Sequence, residues 1–178
     1  DLHSCTHSFP TRRSSDLVPQ IVDAVNVPVI AAGGIGDGRG MAAAFMLGAE
    51  AVQCGTCFLV ADECTVHEVY KEKVLKAGDN DTIVTGKKLG HPVRTVRTPF
   101  SKSFAKMEND PNVTSEELLQ FGAGSLRKAV KDGNLKEGSF MAGEIAGMIN
   151  EKKSCKEIVE GMANKCEELL KAANSRLA

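Results

Sequence analysis

The sequence lacks a long hydrophobic run and lacks an excess of charge of either sign. Its apolar runs are short, and the run at residues 27–32 ends at a pair of glycines, whereas a helix that crosses a bilayer needs about 20 apolar residues. The 22 lysines and arginines nearly balance the 23 aspartates and glutamates, so no surplus of cations exists to displace counterions from a polyanion. We therefore expect no membrane span and no nucleic-acid partner, and we expect a small-molecule partner instead.

Cysteines are also few for the length of the chain. Six cysteines in 178 residues are too dilute for a disulfide-stapled scaffold, and the sequence shows no secretory signal. Reduced thiols and a cytoplasmic location are therefore expected. The remaining composition, 42% hydrophobic and 25% charged, is typical of one soluble domain with an ordinary core.

The first 17 residues, DLHSCTHSFPTRRSSDL, show no usable apolar periodicity and so differ from the remainder. The stretch HSFPTRRSSDL resembles a translated sequencing-adapter read-through. We predict that residues 1–17 are a non-native or disordered leader, with a natural disordered tail as the alternative. On either interpretation His3, His7 and Cys5 are not candidates for a metal site, and regular apolar patterning begins at Val18.

A strand, a glycine-rich turn, a helix and a second strand follow one another early in the chain. Residues 27–32 and 49–54 are short apolar runs that predict strands buried on both faces, and residues 19–25 predict the end of a preceding helix. Asp37 is placed to cap the helix between the strands, which ends at Gly48. This order predicts a βαβ unit with parallel strands.

The rest of the chain is predicted to be largely helical around a short pair of strands. A helix over residues 66–77 begins near His67, and β-branched segments at residues 82–85 and 93–96 predict the two strands. Three further helices are expected, over residues 116–130, 140–149 and 154–173. The last of them carries one apolar stripe, which indicates core packing: Ile158, Met162, Cys166, Leu169 and Ala173.

Two turns, one after each predicted parallel strand, carry the strongest chemical signal. The first holds Gly33 and Gly34, and the second consists of Gln53, Cys54, Gly55 and Thr56. Glycine permits positive φ and lets a phosphate approach backbone N–H groups, and a helix N-terminus adds the positive end of its dipole. Such turns on adjacent parallel strands can hold one phosphate between them, as after strands 7 and 8 of a (β/α)8 barrel. Tight turns without a ligand are the alternative.

Two other uses of these residues fit the spacing less well. The glycines at 34, 36, 38 and 40 do not reproduce G-x-G-x-x-G, since the third glycine would fall on Arg39 or Met41, so a dinucleotide-binding Rossmann domain is not expected. Cys54 and Cys57 form a C-x-x-C, but no second pair completes a zinc site. No metal is therefore predicted, and simple packing of the two cysteines is favoured over a thioredoxin-like redox pair.

The segment PVIAAGGIGDGRGMAAAFMLGAEAVQCGTCFLVADEC, residues 28–64, resembles the C-terminal half of flavin-dependent enoyl-acyl-carrier-protein reductases and of the related nitronate monooxygenases. The resemblance continues through HEVYKEKVLKAGDNDTIVTGKKLGHPVRTVR, FGAGSLRKAV and GSFMAGEIAGMI, and it covers nearly all of residues 18–177. It implies an α/β fold over residues 18–178: the C-terminal part, about strands 7 and 8, of a (β/α)8 TIM barrel with a helical C-terminal extension. The long tail favours the enoyl reductase branch.

The resemblance also implies FMN as the cofactor and assigns its phosphate to the two turns. Gly33 and Gly34 would bind the phosphate by backbone N–H groups, and the second turn would complete the cradle, with Thr56 adding a hydroxyl. Two residues depart from the family pattern, since Cys54 stands where the family usually has Met and Cys57 where it usually has Arg. The backbone contacts of the second turn are unaffected by these departures.

The implied reaction passes a hydride from NAD(P)H to the flavin and then to the β-carbon of an enoyl thioester in fatty-acid synthesis. The substrate would be a small molecule or an acyl-carrier-bound chain, and the full-length parent a homodimer. The family's catalytic histidine lies in the N-terminal half, so the catalytic residue is unknown here and the chain is expected to be inactive alone. A nitronate monooxygenase and a truncated, non-functional gene product are the alternatives.

Overall fold

The computed structural model describes residues 14–173 and residue 175, which fall into two compact units. One unit joins residues 14–63 to the described residues from Lys152 onward, and the other comprises Cys64–Glu151. The elements in chain order are α1 (Ser14–Ala24), β1 (Ile30–Ala32), α2 (Gly38–Met46), β2 (Ala51–Gln53), α3 (Thr56–Leu59), α4 (Glu68–Leu75), β3 (Thr82–Thr85), β4 (Val93–Val96), α5 (Pro99–Glu108), α6 (Ser115–Gly122), α7 (Ser125–Asp132), a 3-10 helix (Glu144–Met148) and α8 (Cys155–Ala173).

The first unit contains the predicted βαβ arrangement. β1 and β2 pair in parallel, with Ile30 opposite Ala51 and Ala32 opposite Gln53, and α2 connects them. The Asp37 side chain accepts hydrogen bonds from two backbone N–H groups of the first turn of α2, because these amides have no partner within the helix. The core between the sheet and the helices is formed by Val18, Ala31, Ile35, Ala44 and Ala49.

α8 packs closely against α2, and the predicted apolar stripe of α8 supplies the contact. Met162 and Cys166, at the centre of the stripe, are buried. At Gly38, the first residue of α2, a Cβ atom would lie 2.6 Å from the carbonyl oxygen of Met162. Glycine is therefore what allows the two helices to approach this closely.

The second unit is organised around the predicted pair of short strands. β3 and β4 have the predicted bounds and pair in antiparallel fashion, and Met141 adds a single bridge to Thr95. The ring of Tyr70 lies 4.8 Å from the ring of Phe140, centroid to centroid. A separate core cluster consists of Phe100, Phe104 and Leu118.

Both parallel strands are shorter and less buried than predicted. β1 contains only the end of the expected strand; Ala31 is buried in it, whereas Ile30 is 62% exposed. In β2 no residue is buried, and Gln53 is exposed. Because side chains alternate between the two faces of a strand, Ala31 reaches the core while its neighbours face the opposite side. The prediction that both strands are buried on both faces is wrong for the described residues.

The helical predictions after residue 97 also need correction. The helix expected over residues 116–130 is interrupted, because Gly124 adopts a φ of +70° between α6 and α7. The helix expected over residues 140–149 is a 3-10 helix at the end of that range. α5 was not predicted, although Thr98 caps it and Pro99 opens it, a combination that favours a helix start.

Only the end of the predicted leader is described by the structure. Residues 14–17 form the first turn of α1, so this end of the predicted non-native or disordered leader is helical. The rest of the leader lies outside the described residues, and its assignment stays a prediction. Within the described ranges, no helix is long and apolar enough to cross a membrane.

Candidate functional site

The register of the parallel sheet brings the two predicted turns to one edge. Ala32 and Gln53 are the last paired residues of β1 and β2. Gly33 and Gly34 leave the sheet directly after the first strand, and the turn that contains Gly55 leaves it directly after the second. All six predicted site residues therefore lie at or just beyond the carboxyl ends of two neighbouring parallel strands.

The turn after β1 requires glycine and is open. Gly33 and Gly34 have φ values of +92° and +71°, a region that side-chain-bearing residues rarely adopt. Both are exposed, and no heavy atom lies within 4 Å of the position that a Cβ would take at either residue. A ligand can therefore approach the backbone of this turn directly.

The turn after β2 passes at once into α3. Gln53 and Gly55 are exposed, Cys54 and Thr56 are half-buried, and Gly55 is the N-cap residue of α3. The Cys54 thiol lies 3.8 Å from the sulfur of Met162. Because its side chain is directed to that contact, Cys54 can serve a ligand at this edge only through its backbone.

The N-terminus of α2, which follows the first turn, is already occupied by a carboxylate. Asp37 accepts hydrogen bonds from the backbone N–H groups of Arg39 and Gly40, and the Arg39 guanidinium pairs with it at 2.6 Å. Burial alone would raise the pKa of Asp37, but these hydrogen bonds outweigh it and hold the pKa below its usual value. The amides of Arg39 and Gly40 therefore already have a partner. The prediction that a helix N-terminus contributes to anion binding is wrong for these two amides of α2.

The thiols of Cys54, in the second turn, and of Cys57, in α3, carry no charge near neutral pH. Burial raises the pKa of Cys54, and its hydrogen bond with Cys57 offsets only part of the effect. Burial together with the neighbouring Cys54 raises the pKa of Cys57 to about 11. Neither cysteine therefore places a thiolate beside an anionic ligand. Among the residues that the structure describes, no group of three or more His, Cys, Asp or Glu is arranged to hold a metal ion.

Several of the polar residues outside this edge have structural partners. His67 is the N-cap of α4, and its Nδ1 accepts a hydrogen bond from the Val69 backbone. Arg94 donates to the Thr82 hydroxyl at 2.9 Å and pairs with Glu144 at 3.5 Å. The contact of Cys54 with Met162 was missed by the sequence reasoning, because 108 positions separate the two residues and no local pattern connects them.

Comparison with known proteins places the chain among flavoenzymes. The profile of the nitronate monooxygenase family matches residues 3–165, and so begins within the predicted leader. A protein of Staphylococcus saprophyticus named a probable nitronate monooxygenase is 33% identical over 163 residues, which are 90% of this chain and 45% of that protein.

Two solved structures are similar along most of the chain. FabK from Thermotoga maritima is 49% identical with a TM-score of 0.87, covering 92% of this chain and 51% of that one. Nitroalkane oxidase from Streptomyces ansochromogenes is 28% identical with a TM-score of 0.72, covering 89% of this chain and 44% of that one.

By family, the chain belongs to the flavin-dependent oxidoreductases and, within them, to the nitronate monooxygenase family. It spans about half the length of the relatives that it matches. The α/β class and the helical C-terminus predicted from the sequence are confirmed.

Proposed function

We propose that this chain supplies the FMN-phosphate site of an oxidoreductase that reduces enoyl thioesters with NAD(P)H. The observation that carries the proposal is the parallel register of Ala32 with Gln53, because it sets the turns after β1 and β2 side by side. A pair of such turns is the arrangement that binds phosphate after strands 7 and 8 of (β/α)8 barrels.

The residues at this edge fit a phosphate group. Gly33, Gly34 and Gly55 are exposed, and a Cβ at any of the three positions would have no atom within 4 Å. Their backbone would hold the phosphate, and the half-buried Thr56 would add its hydroxyl. FMN, when bound, supplies a ring that accepts and donates hydride. The role of this chain is then to anchor and orient the phosphate end of the cofactor.

Enoyl thioesters are favoured as the substrate by the sequence resemblance in residues 67–97 and 138–149. Identity is also higher with FabK, at 49%, than with nitroalkane oxidase, at 28%. Oxidation of nitronates is the second candidate function, because the curated relatives carry the name probable nitronate monooxygenase.

The larger setting is part of the same proposal. β1 and β2 would correspond to about strands 7 and 8 of a TIM barrel. A protein of the relatives' length would act in the cytoplasm as a homodimer, on a small-molecule or acyl-carrier-bound substrate.

A comparison of FMN with riboflavin tests the phosphate site, because riboflavin differs only by lacking the phosphate. Hydrogen bonds to charged groups contribute about 1.5–3 kcal/mol each, so we expect FMN to bind this chain at least about tenfold more tightly. Gly34→Ala should reduce that preference because its φ is +71°. Gly90→Ala is a matched control, since Gly90 has a φ of +74°, no atom near its Cβ position and a place in the other unit.

Equal affinities for FMN and riboflavin would contradict the phosphate site. So would the absence of any flavin fluorescence change on titration of FMN, both with this chain and with a protein extended to the length of its relatives. In the extended protein, NAD(P)H consumption with an enoyl thioester, set against oxygen consumption with a nitronate, decides between the two candidate substrates.

A further inference from the structure

One residue of α8 contacts both segments that leave the parallel sheet at the proposed phosphate site. The Met162 sulfur lies 3.8 Å from the Cys54 thiol in the turn after β2. The Met162 carbonyl oxygen lies so close to Gly38, the first residue of α2, that a Cβ there would stand 2.6 Å from it. Gly38 itself comes shortly after Gly34, in the turn that follows β1. Met162 therefore packs behind both turns at once.

The chain after β2 is attached to α8 at a second place as well. The backbone N–H of Asp62 donates to the Lys153 carbonyl at 3.1 Å, and the backbone N–H of Cys155 donates to the Glu63 carboxylate at 2.8 Å. These bonds hold the segment that follows α3 against the beginning of α8. α3 is thus flanked by two attachments to α8, the contact of Cys54 before it and these hydrogen bonds after it.

The distance between the two turns depends on this packing. The register of the parallel strands ends at Ala32 and Gln53, so strand pairing fixes the backbone only up to that point. A phosphate held by neutral amides of two turns needs those amides at fixed distances and directions. Met162 is 8% exposed, and its side chain is in contact with the second turn. It is therefore placed to fix the position of that turn from behind.

We propose that Met162 is a positioning residue of the phosphate site, whose packing holds the turn after β2 at the correct distance from the turn after β1. The inference rests on the proposed function, because it concerns the same two turns. Shortening the Met162 side chain leaves a gap behind Cys54, and the turn can shift into that gap. Because hydrogen bonds weaken outside a narrow range of distance and angle, such a shift lowers the affinity for the phosphate rather than for the rest of the flavin.

The test compares the affinities of the full chain for FMN and for riboflavin after substitutions at Met162. Met162→Ala should lower the ratio of the two affinities by about tenfold, the equivalent of one hydrogen bond to a charged group. Met162→Leu conserves the volume and should keep the ratio within about twofold of the unaltered chain. Met162→Val removes less volume than alanine and should lower the ratio about threefold. The valine variant decides the question if Met162→Ala does not fold.

Cys166→Ala is the matched control. Cys166 is also buried in α8, at 3% exposure, and it lines the groove that α8 forms with Met41 and Phe45 of α2. Its truncation should loosen the packing of α8 but leave the ratio of the FMN and riboflavin affinities unchanged. A second measurement needs no flavin. In Met162→Ala, iodoacetamide should modify Cys54 about fivefold faster, because the thiol loses the group that it packs against.

The outcomes separate this inference from the proposed function. If the unaltered chain prefers FMN and the shortened variants at Met162 keep that preference, the positioning role alone is overturned. It is also overturned if Cys166→Ala lowers the ratio as much as Met162→Ala does, or if Met162→Leu does so. If the unaltered chain shows no preference for FMN, the phosphate site and the positioning role are refuted together. An unchanged rate of Cys54 modification refutes the contact with Met162 in either case.

Discussion

The contact between α2 and α8 leads to a sharp prediction at Gly38. A Cβ at this position would lie 2.6 Å from both the Lys165 Cβ and the Met162 carbonyl oxygen. The Met162 oxygen belongs to the backbone of α8, and the Lys165 Cβ is bonded directly to that backbone. Neither atom can therefore move without displacing α8. Overpacking of this kind costs about 1–3 kcal/mol, so Gly38→Ala should loosen the packing of α8 on α2.

The thiol of Cys166 reports on this packing, because it is 3% exposed and its backbone nitrogen lies 2.7 Å from the same Cβ position. If alkylation requires local opening, 1–3 kcal/mol corresponds to about 5–150-fold faster reaction. The assay is the rate of iodoacetamide modification of Cys166, resolved by peptide mass spectrometry. The temperature and pH are held constant, so that the intrinsic reactivity of the thiol does not change.

Two other glycines of the same unit provide controls. Gly40 lies in α2, and its Cβ would come no closer than 3.4 Å to another atom, while Gly161 lies in α8 with nothing within 4 Å. Alanine should be tolerated at both positions and should favour the helix at Gly161 by about 0.5–1 kcal/mol. If Cys166 reacts no faster in Gly38→Ala than in Gly40→Ala, the close approach of the two helices is refuted.

Three further predictions concern single side chains. Thr98→Ala should destabilise α5 by about 1–2 kcal/mol because the capping hydroxyl is buried. Thr114→Ala, at the exposed cap of α6, should cost only about 0.5–1 kcal/mol. Equal increases in amide hydrogen exchange in α5 and α6 would count against this difference. Tyr70→Phe removes the hydroxyl that donates to the Met141 carbonyl at 2.6 Å. The free energy of unfolding should fall by about 1–3 kcal/mol because the carbonyl loses this partner, and the midpoint of urea unfolding should fall with it. An unchanged midpoint would disprove the role of that bond. Because the pKa of Cys57 is raised to about 11, its thiolate should form only near that pH, which the ultraviolet absorbance of thiolate measures as the difference between the unaltered chain and Cys57→Ser. A thiolate signal that is complete near pH 9 would show an ordinary thiol.

The features that were predicted well from the sequence are those with a local cause. Asp37 caps α2 because an acceptor side chain just before a helix satisfies amides of the first turn. Gly33 and Gly34 mark the turn after β1 because the backbone there has positive φ. The apolar stripe of α8 follows from helical periodicity, and the bounds of β3 and β4 follow from β-branched runs between turn residues.

The features that were predicted poorly depend on which surfaces meet. The apolar run at residues 27–32 indicates a buried strand, yet burial requires a covering layer on each face, and Ile30 is exposed. The helix expected over residues 116–130 follows from its apolar pattern, which does not register the left-handed conformation at Gly124. The Cys54 thiol has the sulfur of Met162 as its neighbour, and that neighbour is supplied only by the packing of α8.

Asp37 determines how an anion can be bound at the sheet edge. Its carboxylate already accepts from two amides of α2, and Arg39 neutralises it at 2.6 Å. A phosphate beside Gly33 and Gly34 would therefore meet an N-terminus of α2 that already holds a carboxylate, itself paired with Arg39, and its affinity must come from the amides of the two turns. Hydrogen bonds from neutral amides depend on distance and direction more steeply than attraction between full charges does. A phosphate site of this construction is consequently sensitive to backbone geometry, which is why Gly34→Ala is the substitution that should affect the preference for FMN over riboflavin.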